Sequence, residues 1–301
     1  MSKYLISIVG ATAIGKTALS IKLANHFNTE IISCDSRQFF KEMAIGTAVP
    51  SEEELSAAKH HFIQHISIHD LYNVGQFEND AIAKLNTLFQ DHDVVIMVGG
   101  SGLYIDAVIK GLDEFPKVDP KIRENLNLEL ETKGITYLQE QLLELDPVYY
   151  EKVALENPHR LIRALEICIG SGKPYSSFLK DKTASRNFTA IKVGLTADRP
   201  IMYDRINRRV DIMMNEGLLE EAKNLYLHKS LNALQTVGYR ELFSYFDGDF
   251  TLDFAVSEIK KNTRRFAKRQ GTWFRRDEAT LWFDFEENIE TIVKGIEGRL
   301  A

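Results

Sequence analysis

The 301-residue chain has only two cysteines, Cys34 and Cys168, and neither belongs to a CxxC or Cys/His spacing. A disulfide-built fold and a cysteine zinc module are excluded, and both thiols are expected to be reduced, as in an intracellular protein. Glycine and proline are sparse, 18 and 7, without a biased tract, so collagen-like and low-complexity classes drop out. No apolar run approaches the ~18 residues of a membrane span. The opening MSKYLISIVG is too short an apolar stretch for a signal peptide and has no small-residue cleavage site after it. A soluble, cytoplasmic protein with no membrane partner is expected.

Positive charge is also in short supply, with 37 Lys+Arg against 43 Asp+Glu, a net −6. That balance argues against a polyanionic partner until it is resolved by segment. Residues 1–114 hold 8 Lys+Arg and 14 Asp+Glu, whereas residues 115–301 hold 29 of each. The whole acidic excess therefore sits in the first third, and the remainder has room for locally basic surfaces.

What is present is apolar material, 44% of positions, enough for one large or two modest domains that bury roughly three quarters of the unfolded surface. Short, nearly continuous β-branched runs at 4–9, 30–34, 94–98 and 190–195 alternate with helical spacing. Such runs predict strands buried on both faces of a parallel sheet. Between 115 and 187 the pattern becomes charged and helical, at 121–132, 137–145 and 160–169, with no strong strand. Helices are predicted again at 202–228 and 254–273. No repeat of 20 to 50 residues is visible.

Gly10-Ala11-Thr12-Ala13-Ile14-Gly15-Lys16-Thr17 matches G-x-x-x-x-G-K-[ST] in full, after a predicted strand and before a predicted helix. Backbone N–H groups of such a loop converge on phosphate oxygens at a helix amino terminus, Lys16 adds a point charge, and the Thr17 hydroxyl can ligate Mg²⁺. The fold class is therefore α/β: a P-loop NTPase-like parallel sheet flanked by helices, with an all-helical insertion. Residues 1–114 and 188–301 are assigned to the core and its C-terminal helices, and 115–187 to the insertion.

The loop names a phosphate ligand, not a reaction. In many nucleoside triphosphatases a strand of the Mg²⁺ site ends in aspartate, but the run at 94–98 leads into Gly99-Gly100-Ser101-Gly102-Leu103-Tyr104. Asp35 ends the second strand instead. In open parallel sheets ligands collect at the carboxyl ends of strands, so Asp35 is a candidate base or outer Mg²⁺ partner. The plainer reading is a helix N-cap.

In chain order the loop GATAIGKT, DSRQ at 35–38, IGT at 45–47, HHF at 60–62, GGSGLYI at 99–105, NPHRLIRALE at 157–166, GKPYS at 172–176, VGYREL at 237–242 and TRRFAKRQGTWFRR at 263–276 resemble the tRNA dimethylallyltransferases. The chain departs from that pattern at Ala11 and Ile14, where proline and serine are common, at Ser101 for threonine, at Val49 for lysine, and at Asn157 for an acid. No zinc-finger extension follows Arg276, as in the short bacterial type.

The resemblance implies transfer of a dimethylallyl group from dimethylallyl diphosphate to N6 of the adenosine beside the anticodon of tRNA, position 37, with release of diphosphate. It implies Mg²⁺ as cofactor, held by Thr17 and Asp35, and a monomer. Asp35, Ser101 and Arg209 are the catalytic candidates, and residues 10–17 bind the diphosphate. Arg209 is chosen by its place in Arg205-Ile206-Asn207-Arg208-Arg209, where each arginine has the alternative of a solvated helix charge. The implied tRNA contacts are Asp35, Ser36, Arg37, Gln38, Ser101, Arg123, His159, Arg160, Leu161, Ile162, Arg163, Gly238, Tyr239 and Arg240. Arg160 and Arg163 lie three apart on one helix face, and surface ion pairing with Glu156 or Glu166 is their alternative.

Residues 258–278 hold eight Lys+Arg and three acids. On a helix, Lys260, Lys261, Arg264, Arg265, Lys268 and Arg269 share one half of the circumference. Val256, Ile259, Thr263, Phe266, Ala267 and Gln270 form an arc suited to packing on a core. A solvated face is the ordinary reading of a basic run, but six cations without an interspersed acid, followed by Trp273, suit a polyanion. His61, His65 and His69 recur at a spacing of four, yet the intervening residues look extended, which spreads the rings, so no zinc site is expected. Two other functions share the phosphate loop: a small-molecule kinase using ATP, and a nucleotide-gated RNA-binding protein.

Overall fold

The computed structural model describes residues 2–179 and 184–300. Compactness divides the chain into a discontinuous unit, Met1–Lys110 with Ser185–Ala301, and an inserted unit, Gly111–Ala184. The change of sequence pattern places these boundaries at 115 and 187. The insertion so bounded spans residues 180–183, which lie outside the described residues.

The first unit begins β1 (Tyr4–Gly10), α1 (Lys16–His26), β2 (Ile31–Ser33), α2 (Glu52–Ala57), β3 (His60–His61), α3 (Val74–Asp91), β4 (Val94–Val98) and α4 (Gly102–Lys110). The inserted unit holds α5 (Pro120–Lys133), α6 (Ile135–Leu145), α7 (Pro147–Tyr150) and α8 (Pro158–Ser171). The chain then returns through β5 (Thr189–Thr196), α9 (Arg199–Asn215), α10 (Leu218–Leu225), α11 (Tyr239–Phe246), α12 (Leu252–Phe274), β6 (Leu281–Asp284) and α13 (Ile289–Glu297).

Among the described residues six strands form one sheet in the order β3-β2-β4-β1-β5-β6, each pair parallel. Alternation along β1 explains its apolar run: Ile6 and Ile8 face one core with α1 and α13, while Leu5 and Val9 face another with α3 and α4. Both faces are covered, as a parallel sheet requires. Ile6 lies opposite Ile96 of β4 and Ile191 of β5, which puts the phosphate loop at the carboxyl edge of the central strand. β3 and β6 escape the sequence reading because two and four residues are too few to display a period.

The helix predicted over 202–228 is two helices. Gly217, at φ 105°, takes a left-handed conformation that ends α9 and caps α10. Helices α10, α11 and the first half of α12 build a third core around Met43, Leu218, Leu242 and Ile259. The inserted unit has its own core of Leu126, Leu138, Leu142, Leu161 and Leu165. Buried Asp146 accepts bonds there from the Tyr149 and Ser176 amides and the Ser176 hydroxyl.

Candidate functional site: a two-chambered cleft at the carboxyl ends of the strands

The loop between β1 and α1 turns at Gly15, which caps α1 with φ 111°, a region closed to most side chains. The helix therefore opens toward the loop with its first amides unpaired, the arrangement that attracts anions. Lys16 Nζ donates to the loop's own Ala11 carbonyl at 2.7 Å. Burial holds this ammonium down to about 8; Asp35 opposes the shift and the Arg209 cation reinforces it.

Two cavities flank Asp35. The larger, about 910 Å³, is lined by Ile14, Gly15, Lys16 and Thr17 of the loop and by Arg205, Arg208 and Arg209 of α9. The smaller, about 520 Å³, is lined by Ser36, Arg37, Ser101, Gly238, Arg240, Phe266, Arg269 and Trp273. Thr12, Ala13, Asp35, Thr47, Ala48, Arg209 and Met213 border both. A chamber built on a phosphate loop, in which Lys16 and the three α9 arginines are matched by Asp35, Glu52, Glu54 and Glu216, and a chamber with aromatic walls and four arginines thus share one carboxylate and one guanidinium.

Asp35 caps no helix. Its Oδ1 accepts from the Arg37 amide at 3.1 Å inside a turn closed by Gln38 N–H to the Asp35 carbonyl. Gln38 donates to the Thr47 and Ala48 carbonyls at 3.1 and 2.8 Å, in the wall of the larger chamber rather than the smaller. Arg37 donates to the Asn232 and Ala233 carbonyls at 2.8 and 2.9 Å, tying the second strand's loop to the approach of α11. Ser101 precedes α4 and lines the smaller chamber.

The three arginines of α9 differ. Arg205 donates through Nε to the Ala13 carbonyl at 2.9 Å and lies over the Phe285 ring. Arg208 is exposed and pairs with Asp204 one turn back. Arg209 borders both chambers, and burial lowers its pKa, with Glu54 and Asp35 opposing.

A family model described as IPP transferase matches residues 38–277. The chain belongs to the IPP transferase family. The tRNA dimethylallyltransferase of Flavobacterium johnsoniae is 65% identical over 97% of this chain and 96% of its own length. The tRNA dimethylallyltransferase 1 of Bacteroides fragilis is 48% identical over 97% of each. Among solved structures, the full-length tRNA isopentenylpyrophosphate transferase of Bacillus halodurans superposes with a TM-score of 0.74 at 36% identity, covering 99% of this chain and 97% of that one. A eukaryotic dimethylallyltransferase acting on tRNA gives 0.79 at 26% identity, over 94% and 74%.

Within this IPP transferase, several expected contacts need correction. Tyr239 is fully buried; its hydroxyl donates to Glu221 at 2.7 Å, and its ring packs so closely on Gly46 that a Cβ there would sit 2.6 Å away. Its side chain holds the 44–47 loop, with Glu221 also accepting from the Ala44, Ile45 and Gly46 amides, and is closed to RNA. Gly238 and Arg240 on either side do line the smaller chamber. Leu161 and Ile162 are likewise core residues, 0% and 3% exposed. Arg123 and Arg163 both donate to the buried Glu166, at 2.5 and 2.6 Å, so ion pairing with Glu166 is realised. His159 and Arg160 are exposed.

The basic run of α12 also resolves. In its first half Lys260 pairs with Asp211, Lys261 with Glu258, and Arg264 bonds Asn207. In the second half Lys268, Arg269, Arg275 and Arg276 are exposed, with Arg269 over Phe266 and Arg276 over Trp273. Phe266 is not core: it is 39% exposed at the rim of the smaller chamber. Of the histidines, His61 bonds Glu30, His65 sits among Phe39, Phe62 and Tyr72, and His69 packs on His228.

The departures have local meanings. Asn157 caps α8 by accepting from the Arg160 amide, a role an amide fills as well as an acid. Val49 lines the larger chamber without a charge. For Mg²⁺ the donor set is small: the Thr17 hydroxyl and Asp35 border the same chamber, and no group of three or more His, Cys, Asp or Glu gathers among the described residues. That fits a cation taken up with substrate phosphates rather than one caged by protein, as is usual for Mg²⁺.

Proposed function

We propose that the chain is a tRNA dimethylallyltransferase, transferring the dimethylallyl group of dimethylallyl diphosphate to N6 of the adenosine adjacent to the anticodon, position 37, and releasing diphosphate. The observation that carries this reading is the shared wall: a chamber built on a phosphate loop for a diphosphate and an aromatic, arginine-lined chamber for an RNA base meet at Asp35 and Arg209. We further propose that it works as a cytoplasmic monomer. One chain supplies both chambers, and no helix among the described residues is long and apolar enough to cross a membrane.

The exocyclic amine of adenine is a poor nucleophile because its lone pair is delocalised into the ring, so both ends of the displacement need help. Residues 10–17, Lys16 and Arg209 hold the diphosphate and stabilise the charge that grows on its oxygen as the C1–O bond breaks. The N6 lone pair forms the new bond to C1. Asp35 takes the N6 proton, and Ser101 orients the amine. Thr17 and Asp35 would hold Mg²⁺, which would supply further neutralisation of charge. The adenosine reaches Asp35 only if it leaves the anticodon stack, which costs a few kcal/mol. Stacking on Phe266 and Trp273 and phosphate contacts from Lys268, Arg269, Arg275, Arg276, Arg160 and His159 offset that cost. Arg123 and Arg163 reach RNA only at the expense of Glu166.

The direct test supplies Mg²⁺, labelled dimethylallyl diphosphate and unmodified tRNA. Label in the RNA at the adenosine beside the anticodon is expected. Phosphate transfer from ATP without RNA would establish the kinase instead, and RNA binding with no covalent product would establish a binding module.

A pH dependence follows from Lys16. In the free protein its ammonium is held at about 8, and only the cation attracts diphosphate. Occupancy by the anion raises that pKa, so affinity for dimethylallyl diphosphate is expected to be flat below pH 8. Above it, affinity falls about tenfold per pH unit until the bound-state pKa is reached. Isothermal titration of dimethylallyl diphosphate between pH 6.5 and 9.5 reads this, and Lys16→Arg removes the slope because a guanidinium stays charged. A wild-type affinity constant up to pH 9.5 contradicts it.

A further inference from the structure

Gln270 is, with Thr263, one of two polar members of the α12 arc whose spacing suits core packing. It is 6% exposed, and both ends of its carboxamide are engaged outside its own helix. Oε1 accepts from the Thr12 amide at 2.9 Å, and Nε2 donates to the Gly100 carbonyl at 2.9 Å. An amide N–H only donates and a carbonyl only accepts, so the two partners fix the orientation of the carboxamide. The contact also explains Gly100, where a Cβ would lie 2.4 Å from Gln270 Nε2.

Thr12 belongs to the phosphate loop and Gly100 to the loop that carries Ser101. One side chain therefore spans the two loops that bring the leaving group and the amine together. We infer that Gln270 is a positioning residue, setting the separation between the diphosphate cradle and Ser101 and registering both against α12. The inference rests on the transfer reaction proposed above. Helix α12 is independently anchored by buried Ala255, Ile259, Ala267 and Phe274, so losing the bridge loosens the loops without detaching the helix. Misplacement of reacting atoms by about 1 Å costs on the order of 10²-fold in rate.

The test uses Gln270→Met, which keeps length and loses both hydrogen bonds, and Gln270→Glu, which keeps the acceptor and loses the donor. Expected for Gln270→Met are binding of tRNA and of inorganic diphosphate within about threefold of wild type, with the single-turnover transfer rate lowered about 10²-fold. In Gln270→Glu an ionised carboxylate faces the Gly100 carbonyl, while a protonated one donates to it again. The single-turnover rate of this variant relative to wild type should therefore rise as pH falls from 8 to 5.5. Asp35, Arg37, Arg209, Arg240 and Arg269 line the same chamber and are common to both proteins, so the ratio isolates residue 270. A near-wild-type rate for Gln270→Met, or a ratio independent of pH, overturns the positioning role. Absence of transfer by the wild-type protein overturns the function and this role together, which separates the two failures. Should Gln270→Met fail to fold, the pH ratio of Gln270→Glu decides alone.

Discussion

Asp35→Ala is expected to lower the single-turnover rate of dimethylallyl transfer by about 10² to 10⁴ while leaving tRNA binding nearly intact. Asp35 stands in the wall common to both chambers, the place where an amine entering from one meets a carbon entering from the other. In the displacement the nitrogen becomes cationic before it loses its proton, so a carboxylate there stabilises the transition state more than the ground state. Asp35→Asn is the sharper variant: its amide oxygen still accepts from the Arg37 amide, as Oδ1 does at 3.1 Å, so the turn survives while the basicity and the negative charge that would hold Mg²⁺ are lost. Both variants should fail in transfer and both should retain tRNA in a filter-binding assay. Parallel loss of rate and binding in Asp35→Asn would make Asp35 an RNA contact or a structural residue.

The parts of this molecule legible in the sequence are those a local signal reports. Strand β1 shows a nearly unbroken apolar run because both its faces are buried, and the phosphate loop is a contiguous motif running from the end of β1 into the first turn of α1. Asp35 and the loop at 99–102 are legible for the same reason, each closing a strand at the sheet's carboxyl edge. What escapes depends on distant partners. Helical periodicity gives Gln270 and Phe266 the same side of α12, yet one is buried between two loops and the other opens on a chamber. Tyr239 sits between Gly238 and Arg240, which line the smaller chamber, and is turned the opposite way by Glu221 on α10. Glu166 decides the fate of Arg123, which is 43 residues away, and no spacing rule reports that.

The α9 arginines show how far chemistry, rather than charge, separates neighbours, and they carry the other large prediction. Arg209→Ala should reduce the transfer rate at saturating substrates by about 10² to 10³, because its guanidinium borders both chambers and the charge it meets grows as the C1–O bond breaks. Arg205→Ala should act differently: it removes a cation lining the larger chamber together with its hydrogen bond to the Ala13 carbonyl, so diphosphate affinity falls more than the rate does. Arg208→Ala should show the smallest loss of the three, its side chain being exposed and paired with Asp204, where screening makes an ion pair worth little. Single-turnover rates and diphosphate titrations on the three variants give the order, and a greater rate loss for Arg208→Ala than for Arg209→Ala would move the leaving-group contact outward along the helix. Arg209→Lys adds the mechanistic step. A point charge in place of a planar fork keeps electrostatic attraction but not two directed donors, so binding of inorganic diphosphate should survive while the rate recovers only partly, separating holding the anion from stabilising its departure.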